Sequence, residues 1–125
     1  MASATFLKGD KLTVAYTAGG TIAVDDILVV GTNSKACVGV ACEGMVSGDV
    51  AVVDIGGCYV MPKVSAAVIK AGETVDWDVS AGEVDDNQAT SASGDVADFG
   101  VALEDAGNAV TTIKVALTPG TGTKA

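Results

Sequence analysis

Cys37 and Cys42 are a close pair of potential metal ligands, and the chemistry they offer is zinc binding or disulfide formation. Five positions apart, they face opposite sides of an unbroken strand, and a structural zinc site wants four ligands, typically in two close pairs. Cys58 brings the count to three. An odd number with no secretory leader points to reduced, buried thiols that pack as small hydrophobes, with one disulfide plus a free thiol as the alternative. Asp76, Asp78, Asp85 and Asp86 carry the oxygen ligands that Ca²⁺ takes, but the twelve-residue loop ending in glutamate is absent. They read as solvated carboxylates on the outer face of a strand. Neither a metal nor a cofactor is expected.

Lysine chemistry is the next option. Val60-Met61-Pro62-Lys63 and Lys70-Ala71-Gly72-Glu73-Thr74-Val75 share features with biotinyl and lipoyl carrier domains, which combine a hairpin lysine with a Gly-acidic-x-Val turn. Those domains hold the modified lysine at a hairpin tip between methionines or between acidic and apolar residues. Pro62 before Lys63 and Val64-Ser65 after it do not fit that setting. The chain contains no histidine, which removes the commonest general base, and no spacing supplies another base or a phosphate loop. An enzyme is not expected.

Net charge excludes a further class of partner. Seven lysines and no arginine stand against 16 acidic residues, a balance of −9. Nucleic-acid binding depends on neutralising phosphates with basic side chains, so no nucleic-acid partner is expected, and anionic membranes are disfavoured for the same reason. No apolar run approaches the roughly 20 residues of a membrane span, so no membrane partner is expected and synthesis in a cytoplasm is.

The elements that position these residues are strands. Gly9-Asp10, Gly48-Asp49, Gly72-Glu73, Gly82-Glu83 and Gly94-Asp95 each precede alternating valines or leucines. Glycine takes positive φ without penalty and an acidic side chain bonds the local backbone, so each copy predicts a tight turn into a strand. Turns at this spacing predict an all-β domain, a small barrel, sandwich or β-tulip-like arrangement with at most one short helix. The expected organisation is an extended N-terminal arm over 1–8, one β domain over 9–118 and a flexible tail over 119–125. Ile27 to Val30 reads as a strand buried on both faces, and Val75, Trp77 and Val79 face inward with Asp76 and Asp78 in water. Phe99, Val101 and Leu103 form a second inward face, and Ile113, Val115 and Leu117 a third. Asp85 to Gly94 reads as an exposed loop. Lys63 to Lys70 is the one tolerably helical segment, or else a loop crossing the end of the fold. A core built largely of Ala and Val is thin, and oligomerisation is one way to bury more surface.

The order of the pieces is more specific than their composition. Ala4 to Asp10, the strand after Asp26, Gly39-Val40-Ala41 and Gly48-Asp49-Val50 come in sequence. Met61-Pro62-Lys63, Ala71-Gly72-Glu73-Thr74-Val75-Asp76-Trp77-Asp78 and the closing Phe99 to Ala102 and Ile113 to Leu117 follow. This resembles the capsid cement, or head decoration, proteins of tailed bacteriophages from about Ala4 to Leu117. The most specific part is Met61, Pro62, Lys63 followed by Gly72, Glu73, Val75, Trp77 and Asp78. The Asp25-Asp26 pair, the long loop from Asp85 and the three cysteines depart from the family pattern. The resemblance implies a non-enzymatic virion protein that binds the outside of the expanded head as a homotrimer and clamps neighbouring major capsid subunits. On that basis Ala2, Ser3, Ala4, Thr5, Phe6 and Leu7 are the expected capsid-binding arm, pairing main chain to main chain with an edge of the capsid subunit. A carbohydrate- or cell-surface-binding β-module is the alternative, and it requires Trp77 exposed beside Tyr59 as an aromatic platform.

Overall fold

All five glycines of the Gly-acidic turns adopt positive φ, from 68° at Gly82 to 92° at Gly9. That is the backbone geometry the motif anticipates, and it delivers the chain into one short strand after another. The computed structural model describes residues 2–125. Eleven strands follow in order: β1 (Thr5–Lys8), β2 (Thr13–Thr17), β3 (Ile27–Val30), β4 (Cys37–Ala41), β5 (Val50–Asp54), β6 (Cys58–Pro62), β7 (Thr74–Asp78), β8 (Glu83–Asp86), β9 (Val96–Ala102), β10 (Thr112–Leu117) and β11 (Thr123–Lys124). They form two antiparallel sheets, a larger one in the order β1-β6-β10-β9-β7-β8 with β11 added to β9, and a smaller one in the order β2-β5-β4-β3. Both sheets end in edge strands, so the fold is a sandwich and not a closed barrel. The described residues contain no helix. Residues 63–70 form the loop alternative, tied by single bridges from Lys63 to Val84 and from Ile69 to Ala106.

The small sheet has two apolar faces. Ile27, Val38 and Val40 join the main core with Tyr59, Met61, Val75, Trp77, Phe99, Ile113, Val115 and Leu117 of the large sheet. Leu28, Ala41, Ala51 and Val53 point the other way, into a second cluster closed by Ala18, Ile22, Met45 and Ile55. Ile22 and Met45 bridge as a pair of exchanged backbone hydrogen bonds of 2.8 and 2.9 Å. Ile27 and Leu28 are thus both buried, on opposite faces, as the continuous apolar run implied.

Asp54 joins the two sheets. It is the last residue of β5, has no solvent exposure, and its Oδ1 accepts from the amides of Leu12 (3.0 Å), Gly56 (2.9 Å) and Gly57 (3.2 Å). Its Oδ2 accepts the Tyr59 hydroxyl of β6 at 2.5 Å, so a carboxylate from one sheet is satisfied by a donor from the other. Gly57 is required for this approach, because a Cβ there would stand 2.6 Å from Asp54 Oδ2.

Several expectations are corrected. Residues 119–125 do not hang free: β11 pairs with β9, and Ala125 exchanges backbone hydrogen bonds with Asp95 and Gly94. The N-terminal arm is likewise part of the fold, since β1 pairs with β6, Ser3 bridges Asp26, and Ala4 is buried. Asp85 and Asp86 lie in β8 and not in a loop. In β9 a bulge at Asp98, with φ +56°, shifts the alternation, so Val96, Phe99 and Ala102 are buried while Leu103 is exposed. Val79 is also exposed, one residue past the end of β7.

Replacing Asp54 by Ala strands three amides and a hydroxyl, and should lower stability by at least about 3 kcal/mol in urea unfolding. Tyr59→Phe removes one charge-assisted bond, with an expected loss of about 2 kcal/mol.

Candidate functional site

The Met61 to Asp78 motif was expected to carry the family signal as structure and the N-terminal arm to contact the capsid, and the structure treats them differently. The motif is largely internal, with Met61, Lys63, Val75 and Trp77 buried. Met61 is buried in the main core, and Pro62 closes β6 opposite Thr112, where a missing amide is tolerated at the strand end. Lys63 has no solvent exposure, and its Nζ donates to the carbonyls of Val64 (2.7 Å), Val110 (3.0 Å), Gly107 (3.1 Å) and Ser65 (3.4 Å). The ammonium group therefore clasps the 63–65 loop to the 107–110 loop across the end of the sandwich. A carrier lysine must reach solvent, and this one does not.

Gly72 and Glu73 do comparable work on the backbone. With φ +89°, Gly72 turns the chain so that its amide donates to Ala102 O and the Ala102 amide donates to Glu73 O, both at 2.8 Å. Val75 and Trp77 then enter the core, Trp77 edge-on to Phe99 with ring centroids 6.2 Å apart. Trp77 and Tyr59 are 3% and 1% exposed, which removes the aromatic platform that a sugar-binding surface requires. Asp78 caps the following turn by accepting from Ala81 N–H at 3.0 Å and Ser80 Oγ at 2.9 Å, and the Ala81 amide in particular holds its carboxyl below the usual range.

Asp76 corrects the expectation of a solvated carboxylate. It is 6% exposed and accepts the Asp98 amide at 2.9 Å, a donor that the β9 bulge has turned out of the ladder. Burial pushes its carboxyl above the usual range, the Asp98 amide opposes this, and the charges of Asp98, Asp85 and Asp86 add to the rise. Among the described residues no group of three or more acidic, cysteine or histidine side chains is placed to hold a metal. The three cysteines are unpaired and half-buried. Burial, and then the hydrogen bond to Asp54, push the Tyr59 hydroxyl upward, so it stays a neutral donor.

The arm presents a surface. Phe6 is 40% exposed and packs edge-on against Tyr59 with centroids 5.5 Å apart, while Lys11 Nζ stands 4.7 Å over the Phe6 ring. Leu7 is 38% exposed, and β1 has β6 on one side and no strand on the other. Thr5 and Ser3 are exposed, Ala2 is half-buried and Ala4 buried. Asp54 was not anticipated, although an acid inside Val50-Ala51-Val52-Val53-Asp54-Ile55 ahead of Gly56-Gly57 is a readable sign of a carboxylate turned onto clustered amides.

A family model described as phage cement protein matches residues 7–117, nearly the whole chain. The chain belongs to this family. As a cement protein it is a structural component of the phage capsid and of the virion, in a family that is not enzymatic. The match opens inside β1 and closes at the last residue of β10, so it spans both sheets and the whole Met61 to Asp78 motif. No curated protein and no solved structure matched the chain.

Two substitutions separate frame from surface. Lys63→Met leaves four loop carbonyls without their shared donor and should cost about 2 kcal/mol or more in urea unfolding. Asp76→Asn keeps the acceptor for Asp98 and removes the charge. A raised carboxyl contributes stability below its unfolded value of about 4 and loses it as pH rises through the folded value. The stability of Asp76→Asn relative to wild type should therefore be greater at pH 7 than at pH 4, measured by urea midpoints at each pH.

Proposed function

We propose that this cement protein binds the outer surface of the expanded phage head as a homotrimer and stabilises the contacts between neighbouring major capsid subunits. Synthesis in the host cytoplasm before addition to the head goes with this reading. The observation that carries the capsid contact is the open edge of β1, with Phe6 and Leu7 partly exposed beside it. An extended segment of the capsid subunit adds there as a further strand, its main chain supplying affinity and Phe6 and Leu7 supplying side-chain contact. This modifies the free-arm picture: residues 2–7 are held by β6 and by Asp25 to Ile27, so they offer a preformed edge that does not have to be ordered on binding. Three such edges in one trimer act together, and linked contacts of this kind gain roughly 10²–10⁴ in avidity. The balance of −9 supports an outer position, away from packaged DNA.

Deleting residues 2–7 would also remove buried Ala4 and the bonds to Asp25 and Ile27, so point substitutions are the cleaner test. Leu7→Asp should bind expanded empty heads at least about tenfold more weakly in a co-sedimentation assay, with an unchanged urea midpoint. Unchanged occupancy would remove β1 from the contact. Failure of the wild-type chain to bind expanded heads would remove the outer-surface reading itself.

A further inference from the structure

The seven lysines are buried, ion-paired or free of a carboxylate partner, and the free ones are not scattered. Lys63 is buried on main-chain carbonyls, and Lys70 and Lys114 each stand 3.9 Å from a carboxylate, that of Asp105 and of Glu104. Lys35 and Lys124 lie together where residues 34–35 bond to residues 123–124, on backbone that is already paired. Lys8 and Lys11 remain, and both belong to the β1 edge. Neither is ion-paired among the described residues. Residues 1–12 carry two lysines against one aspartate, whereas residues 13–125 carry five lysines against 15 acidic residues, a balance of −10. The β1 edge is the cationic end of an acidic chain.

The two charges flank this edge on opposite faces. Phe6 is in register with Tyr59, whose side chain belongs to the main core, and Lys11 Nζ lies 4.7 Å from the centre of the Phe6 ring. Lys8 is in register with Cys58, the neighbour of Tyr59 in β6, and so faces the other side of the sheet. An ammonium group on an aromatic face keeps its charge and its outward N–H donors, because the ring quadrupole attracts it without neutralising it. Side chains of a strand alternate between faces, so a strand added to β1 passes one row over Phe6 and Lys11 and the other past Lys8. The incoming segment meets a cation on each face.

We propose that the β1 edge selects an acidic extended segment, a strand of the capsid subunit whose carboxylates pair with Lys8 and Lys11 while an apolar side chain packs on Phe6 and Leu7. Charge complementarity sets the choice of occupant. A basic segment is repelled at this edge, although the chain as a whole attracts it. Nucleic acid needs many more cations than two and is repelled by the rest of the chain. The acidic strand of a second copy, β8 with Glu83, Asp85 and Asp86, has β7 on one side and Val64 bonded to Val84 O on the other, so its main chain is already engaged. The inference rests on the β1 contact of the proposed function and names the chemistry of its partner.

Co-sedimentation with expanded empty heads at low and high salt tests this, with urea midpoints as the check on folding. Lys8→Glu and Lys11→Glu should each bind about tenfold more weakly than wild type at low salt, and the gap should narrow at high salt. Lys35→Glu changes the net charge equally and should stay within about twofold of wild type. Leu7→Lys should bind more tightly than Leu7→Asp, because it adds a cation where the other adds a carboxylate. Lys8→Glu or Lys11→Glu binding like wild type, a gap that salt does not change, Lys35→Glu as weak as either, or Leu7→Lys no better than Leu7→Asp would each overturn the inference. If Leu7→Asp is still weak in those cases, the β1 contact of the proposed function stands without it. Self-association of the purified chain that Lys8→Glu abolishes puts a second copy on this edge and overturns it as well. A wild type that fails to bind heads removes the outer-surface reading and this inference together.

Discussion

The buried Asp54 carboxylate is the constraint around which the sandwich is arranged. It belongs to the small sheet and its hydroxyl donor belongs to the large one, so the sheets cannot slide without breaking a short charge-assisted bond in a site closed to water. The same carboxylate gathers the amides of Leu12, Gly56 and Gly57, which sets the entry to β2 and the turn from β5 to β6. A packed core of valine and alanine specifies position weakly, because such side chains fit one another in several registers. A carboxylate with four donors fits in one.

Lys63 plays the matching part at another place in the fold. Its ammonium group has no carboxylate partner among its hydrogen bonds and is satisfied by four main-chain carbonyls from two loops. This explains why the most recognisable stretch of the chain is not a binding surface. Met-Pro-Lys ends a strand and clasps two loops, Gly-Glu turns the chain into β7, and Trp77 fills the core against Phe99. The Met61 to Asp78 stretch thus serves the frame of the fold, while the edge of β1 and the Val50 and Val52 side chains stay open to solvent.

That division suits a capsid component. A small domain with few aromatics gains much of its rigidity from pinned polar groups, and here the edge of β1 stays open beside β6. The exposed Val50 and Val52 of β5 and the open edge of β1 lie in different sheets.

Much of the fold was legible because its signals are local. Positive φ at the Gly-acidic turns, the alternation in β10 and the burial of both faces at Ile27 and Leu28 follow from turn chemistry and side-chain period alone. The family could be recognised from the order of those same pieces. Local pattern did not reveal that Asp76 is buried, that the shift at the β9 bulge leaves Leu103 exposed, or that the arm and tail pair into the sheet, because each depends on what lies across a ladder from a distant segment. The chain by itself determined which residues turn and which alternate. Only the tertiary structure decided which carboxylates and which lysine lie in the interior, since the cost of burying a polar group is set by the donors and acceptors that folding brings to it.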